Sequence, residues 1–378
     1  MPDDVIVIGG GLAGCLTALH LARAGMAVRV IEAGVIGGQA SSANAGSLHA
    51  QIPHDPFRNL GEGWATRFAP AVTMLKESLL LWRQMEALVE ADLEVKFGGG
   101  LLVAHTDAEM AEIEAKVAIE RAAGLEIDLL GRAALHTLAP YLGADAVGGA
   151  FCAGEGKANP LVVTPAIARA ARAAGAIIET GTGPVTIARD GEAYAVQGAG
   201  QHWRAPRLVL AAGSATGRLA AGVGAELAIQ AFPIQVSVTE PAAPLVPHLV
   251  YCAGAKLTLK QARNGTLLIG GGWDARLDDQ GRPQVDMDNL ARNLGVAARV
   301  VPALGSLQLV RTWAAFVNGT DDWLPIIGEL PHAPGVFINY VPWLGFSGGP
   351  AASLAVAALV QAQALPAGVD WAAFTPGL

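Results

Sequence analysis

The chain has 378 residues, 52% of them hydrophobic and 15% charged, with a formal net charge of −8 and a mean hydropathy of +0.40. That length can bury a large core and predicts two domains, while the acidic balance, with no basic block, excludes a nucleic-acid phosphate surface. So apolar a composition predicts a concealed surface, against a membrane or a permanent partner subunit, or else an unusually large core.

The stretch MPDDVIVIGGGLAG carries acids ahead of its apolar run and no basic segment, so it reads as a buried first strand, Val5 to Ile8, and not as a secretory signal. The fingerprint Gly9-x-Gly11-x-x-Gly14 follows. Its first glycine permits a tight turn, its second lets a pyrophosphate approach the backbone, and its third allows close helix packing. Leu16, Ala18, Leu19, Leu21 and Ala22 continue at helical spacing to Gly25, and MAVRVIEA supplies a second strand with Glu32 at its end. A pyrophosphate at the helix N-terminus meets free N–H groups, and Glu32 stands where it can accept from a ribose diol. A glutamate there disfavours a 2′-phosphate, leaving FAD or NAD(H).

SSANAGSLHAQ, residues 41–51, then collects small and polar residues close to the nucleotide unit. DAEMAEIEAKVAIERAAG reads as part of a helix-rich region with a charged face that needs no function. Ala166, Ile167, Ala170, Ala171 and Ala174 form a small-residue helical face ending at Gly175, and Arg207 to Ala211 a strand ending in Ala212-Gly213. From about Glu226 short alternating segments predict a β-rich region with a hairpin turn at Asn264-Gly265. Asn264-Gly265-Thr266 and Asn318-Gly319-Thr320 match the glycosylation pattern, and both are read as turns. GVFINYVP predicts another strand, followed by Gly345, Gly348 and Gly349 ahead of a helix from about Pro350. The apolar run Ala351 to Val360 is too short to span a membrane. Cys15, Cys152 and Cys252 are far apart and fit neither a metal site nor a disulfide framework, which suits a reducing compartment.

Together VIVIGGGLAGCLTALHLARAG, SSANAGSLHAQ, EGKANPLVVTPAIARAARAAGA, LVLAAG, KLTLKQARNGTLLIGGGW, RTWAAFVNGTDDWLPIIGE and LGFSGGP resemble, in order and over nearly the whole chain, the FAD-dependent D-amino-acid oxidase superfamily. The resemblance is greatest to the β subunits of opine (octopine or nopaline) oxidases, more properly dehydrogenases. It implies an α/β fold with a β-rich part: a Rossmann-like FAD domain and a discontinuous substrate domain on a mixed or antiparallel sheet. The expected FAD-binding segments are 1–85, 146–222 and 321–378, with substrate-domain segments 86–145 and 223–320. FAD contacts are implied at Gly9, Gly11, Leu12, Ala13 and Gly14, and at Glu32 and Ala33. They are also implied at Ser41, Ser42, Asn44, Ala45, Gly46 and Leu48, at Val185, at Ala212 and Gly213, and at Gly345, Phe346, Ser347 and Gly348. No metal is implied.

The implied reaction is FAD-dependent C–N dehydrogenation of an opine. The α hydrogen leaves as hydride to the flavin, and the imine hydrolyses to an amino acid and a 2-oxo acid. The alternatives are dehydrogenation of D-amino acids or D-hydroxyproline, sarcosine oxidation, cyanide-forming glycine oxidation, and a non-catalytic partner-binding flavoprotein. By position Arg311 corresponds to the substrate-carboxylate arginine of the family. Its fork matches a carboxylate, the other reading being an ion pair with Asp321, Asp322 or Glu329. His49 is implied as a flavin neighbour, with an orienting or packing role as the alternative. Tyr251 is a candidate substrate-site aromatic. Lys256, Thr258, Lys260 and Gln261 lie on KLTLKQ, where alternation puts Thr258 and Lys260 on one face, able to meet a second polar arm of the substrate, the other reading being a solvent-facing strand. The resemblance also implies α and γ partner subunits in a hetero-oligomer. Iron–sulfur chemistry would lie in a partner, since this chain has no cysteine cluster. The expected location is cytoplasmic, with peripheral attachment at the inner face of the membrane as the variant.

Overall fold

The protein, seen in a computed structural model that describes residues 2–376, is organised by two sheets. The nucleotide sheet runs Ile326–Glu329, Val336–Tyr340, Arg207–Leu210, Val5–Ile8, Val28–Ile31, Ile177–Glu179. Its strands are parallel apart from the edge strand Ile326–Glu329. Val5–Ile8 is apolar at every position because it is covered on both faces. Val5 and Val7 enter the core beneath the helices, and Ile6 and Ile8 that beneath the small antiparallel sheet of residues 186–205. The helices Leu12–Arg23, Pro160–Ala173 and Gly345–Val360 cover the first face.

The large sheet runs Leu309–Gly319, Gln230–Pro241, Thr266–Asp274, Thr258–Gln261, Leu249–Cys252, Gly100–Ala104, Gly148–Cys152, Asp128–Gly131. It is mixed, with one parallel pair, between Leu249–Cys252 and Gly100–Ala104. Leu257, Leu259, Leu267 and Ile269 pack with Ala297 and Val300 of the helix Met287–Val300, so that helix covers one face. The opposite face looks toward residues 41–52. The fold is thus the expected one, a Rossmann-like domain joined to a β-rich second domain.

Three sequence expectations need correction. Gly148–Cys152 is hydrogen-bonded within the large sheet, so the boundary expected at residue 146 falls too early. Asn318-Gly319 is no turn: both residues stay in the ladder opposite Ala231 and Gln230, whereas Asn264-Gly265 does turn the chain, with Asn264 Oδ1 accepting from the Thr266 amide.

The C-terminal helix starts at Gly345 and not at Pro350. Pro350 has no N–H to give back to Phe346 O, and the long helix His54–Val89 repairs the gap. Trp82 Nε1 donates to Phe346 O at 3.2 Å and Ser347 O at 3.1 Å. Ser78 Oγ donates to Ser347 O at 2.6 Å and accepts from Ala351 N at 3.2 Å. A proline in a helix costs one backbone bond, and here the exposed carbonyl becomes a docking point.

The charged face of the helix Asp107–Ala122 buries an ion pair. Lys116 and Glu120 are both 0% exposed, with Nζ and Oε1 2.5 Å apart. Glu120 Oε1 also accepts the Ile52 amide at 2.6 Å, tying this helix to the segment that follows His49.

Candidate functional site

A cavity of about 600 Å³ follows the carboxyl ends of the nucleotide-sheet strands, the usual place for a ligand in such a sheet. Gly9, at φ +112°, turns the chain out of its strand. A Cβ on Gly14 would lie 1.9 Å from Gly9 O, so the third glycine sets helix against strand and does not line the cavity. Gly11, Leu12 and Ala13 line it at the start of a helix that has no acid in its first turn. Its N-terminal dipole is therefore open to a diphosphate. Glu32 lines the cavity beside Ala33, its oxygens held by the amides of Gly10 at 2.6 Å and Gly34 at 2.7 Å.

Val185, Ala212 and Gly213 line one side, and Gly345 and Phe346 the far end. Arg218 and Trp343 are among the lining residues that the sequence did not single out. Arg218 donates to Val185 O at 3.2 Å, and Trp343 has a buried indole N–H with no partner. Trp343 is held at φ +53° and stacks on Trp323 with ring centroids 4.5 Å apart. An orphaned donor aimed from such a constrained residue calls for a ligand acceptor. Glycine turns, an open helix N-terminus, a strand-end glutamate and this free N–H together fit FAD.

The Ser41–Gln51 segment divides its labour. Ser41 and Asn44 line the cavity. Ser41 Oγ accepts from Leu12 N at 2.9 Å, while Asn44 closes its own loop, with Oδ1 accepting from Gly46 N at 2.7 Å. Ser42, Ala45, Gly46 and Leu48 do not line the cavity. Gly46 is needed for its φ of +79° and because a Cβ there would meet Ala158 O at 2.2 Å. Leu48 is fully buried. Ser347 and Gly348 likewise fall outside the lining. Ser347 Oγ accepts from His49 N at 2.8 Å and donates to Ser47 O at 3.2 Å, and Gly348 makes room for Met74 of the long helix.

Behind this segment lies the large-sheet face. The register carries one row straight across it: Arg311 opposite Val238, Val238 opposite Leu268, Leu268 opposite Lys260. Arg311 and Lys260 therefore share a face at three strand spacings, roughly 14 Å. Thr258 and Tyr251, themselves paired, lie on it too. Arg311 is exposed and forms no ion pair with a described residue. The acids considered as partners are engaged elsewhere: Asp321 by Gln230, Asp322 by Leu324 N, Glu329 by Gly335 N. Two residues on, Trp313 Nε1 donates to Ala43 O at 2.8 Å, which sets this strand against the cavity wall.

Lys260 does not meet open space. It is 3% exposed and donates to Ser47 Oγ at 2.6 Å, and burial, with Lys157 nearby, pushes its ammonium well below the ordinary lysine range. It supports the wall and does not reach a second substrate arm. Gln261 is structural, bridging Leu245, Val246, Ala242 and Gly265, and Lys256 Nζ donates to Gly272 O.

His49 and Tyr251, separate candidates in the sequence, are joined: Nδ1 and the hydroxyl are 2.7 Å apart. Burial, helped by the Lys260 charge, holds the imidazole down at about 3, so it is neutral at physiological pH. Tyr251 donates to Glu155 Oε2 at 2.8 Å. Burial and the Glu155 carboxylate drive the phenol well above its usual value. Glu155 is 0% exposed and is not among the candidates that sequence reasoning supplies. A lone acid in a glycine-rich turn carries no signal of burial.

Residues 4–359 match the sequence family described as DAO, FAD dependent oxidoreductase. An opine oxidase subunit of Rhizobium meliloti is 28% identical over 344 residues, covering 89% of this chain and 87% of that protein. The corresponding opine oxidase subunit of Agrobacterium tumefaciens (strain Ach5) is 30% identical over 354 residues, covering 89% and 87%. Among solved structures, glycine oxidase from Geobacillus kaustophilus superposes with a TM-score of 0.81 at 24% identity, covering 100% of this chain and 98% of that one.

Proposed function

The chain belongs to the DAO family of FAD-dependent oxidoreductases, and from that premise we propose that it oxidises an opine, an amino acid joined through a secondary amine to a 2-oxo-acid skeleton. It is an FAD-dependent amine or amino-acid oxidoreductase. When bound, FAD supplies a two-electron acceptor for the C–H bond beside the substrate nitrogen.

The observation that carries the substrate class is Arg311. An exposed guanidinium without an acidic partner, on the sheet face turned toward the cavity wall, suits a carboxylate held by two parallel N–H···O bonds. Arg311 thereby fixes the carbon next to the carboxylate, and orientation of this kind accounts for much of a rate without any proton transfer by the arginine. Neutral His49 stands on the same side and offers a polar contact without competing charge. Water completes the reaction by hydrolysing the imine to an amino acid and a 2-oxo acid. Support for an opine over other amino acids comes from the two opine oxidase relatives. Their designation as subunits supports a multi-subunit assembly for this chain also. No helix among the described residues is long and apolar enough to cross a membrane.

The test is anaerobic bleaching of the bound flavin by octopine, nopaline, glycine, sarcosine and D-hydroxyproline, on the chain alone and as co-purified with its native partners. Bleaching by an opine supports the reading. Bleaching by glycine, sarcosine or D-hydroxyproline and by neither opine overturns it.

A further inference from the structure

His49 Nε2 has no hydrogen-bond partner among the described residues, and the residue is half-buried. Whether that nitrogen donates or accepts depends on where the single ring proton sits, and the other nitrogen decides. Three groups settle the matter in turn. Glu155 Oε1 accepts the amides of Ala50 at 2.7 Å and Gln51 at 2.8 Å, and Oε2 accepts Gln51 Nε2 at 3.1 Å. Every other contact of this carboxylate is thus with an N–H donor, and Tyr251 Oη completes the set at 2.8 Å. Both oxygens are thus placed as acceptors, and the one phenolic proton of Tyr251 is committed to Glu155 Oε2. The Tyr251 oxygen is left to accept, and His49 Nδ1, 2.7 Å away, must carry the proton.

The side-chain amide of Gln51 is oriented by a separate device. Lys116 Nζ, which can only donate, lies 3.4 Å from Gln51 Oε1, and Lys116 is held in turn by Glu120. The NH₂ end of Gln51 therefore points at Glu155. An amide bridges these groups without passing a proton, so the chain orders dipoles and does not conduct.

We propose that Glu155 and Tyr251 are positioning residues that fix His49 as its Nδ1–H tautomer, leaving Nε2 a permanent hydrogen-bond acceptor for the N–H of a primary or secondary amine substrate. The substrate part of this inference rests on the functional reading above. The tautomer part stands without it. The groups facing the ring are Tyr251, Glu155 and Lys260, and only Lys260 has a charge that opposes protonation of the ring.

Glu155→Gln tests it. The new amide has an oxygen for the Ala50 and Gln51 main-chain amides, but its NH₂ takes the place of Oε2, so it donates to Tyr251 and the bond from Gln51 Nε2 is lost. The Tyr251 proton then turns to His49 Nδ1, and the ring proton moves to Nε2. The readout is ¹⁵N NMR of the FAD-loaded protein with labelled histidine, with His49 assigned by its loss in His49→Asn. The parent should show Nδ1 protonated and Nε2 bare from about pH 5.5 to 8.5, Glu155→Gln the reverse, and Tyr251→Phe, which removes only the hydroxyl, loss of the single tautomer. Flavin reduction by whichever amine bleaches the parent should slow by about 10- to 100-fold in Glu155→Gln with FAD retained, the size expected for a reversed hydrogen bond. A proton on Nε2 in the parent, or an unchanged tautomer in both variants, overturns the inference. So does an unchanged reduction rate alongside a reversed tautomer. If no amine in the panel bleaches the flavin, the functional reading fails and the tautomer result stands apart from it.

Discussion

The two walls of the site meet in the Ser41–Gln51 segment but are built from opposite materials. On the nucleotide side the cavity is lined by glycines, alanines and backbone amides, with Glu32 held by neighbours two and 22 positions away. On the large-sheet side, apart from the exposed Arg311, the groups are polar side chains wholly or partly buried, and their partners lie far off in sequence: His49 with Tyr251 at 202 positions, Gln51 with Glu155 at 104, Lys260 with Ser47 at 213. A diphosphate needs close backbone approach, which glycine provides locally. Holding an amine and a carboxylate in one orientation needs charged side chains in a dry place, and these are stable there only if other elements satisfy them.

Substitutions on the two sides should therefore fail differently. The largest effect belongs to Gly14→Val on the nucleotide side. A Cβ there lies 1.9 Å from Gly9 O, so the helix must leave the strand, and purified protein should retain no flavin by absorbance. Flavin retained at the parent ratio would break the contrast. Next is Lys116→Met, which strands Glu120 as a buried unpaired carboxylate. Denaturant unfolding should show a loss of about 3–5 kcal/mol. Lys116→Met combined with Glu120→Leu should recover part of it, the remaining deficit coming from the Ile52 amide left without an acceptor. Equal losses in the single and double variants would mean that the pair is not coupled.

Arg311→Lys keeps the charge and removes the fork. With FAD bound normally, kcat/KM for the substrate should fall by about 100-fold, whereas loss of flavin would place Arg311 in the scaffold.

A further effect is spread over pH. Burial depresses His49 and His54 to about 3 and His20 to about 4, against about 6.5 for an unfolded chain. Below pH 6.5 the unfolded state binds protons that the folded state refuses, so stability is full above that value and falls as pH drops toward 4. The slope is about 1.4 kcal/mol per pH unit for each histidine still neutral. Chemical denaturation at pH 7, 6 and 5 checks the slope, and His54→Gln should flatten it.

Legibility in the sequence follows the same division. Strand, turn, helix and acid from Val5 to Glu32 could be read because each residue's role depends on neighbours within one supersecondary unit. The hairpin at Asn264-Gly265 and the alternation putting Lys260 opposite Leu259 were readable for the same reason. Alternation could say that Lys260 and Thr258 share a face but not what covers it, and the cover is Ser47. Lys116 and Glu120 carry no local sign of burial, since charge on a helix is usually solvated. They are buried because residues 51 and 52 lie across them.

The amino-acid sequence by itself determined the dinucleotide fold, the place of the FAD cradle and the candidacy of Arg311, all of which rest on local geometry or on residue order. Only the tertiary structure decided which candidates touch. It joined His49 to Tyr251 and Glu155, withdrew Lys260 behind Ser47, left Arg311 without a partner among the described residues, and supplied Trp343 and Arg218. A buried charge has the meaning its surroundings give it, and those surroundings come together only when distant strands are laid side by side.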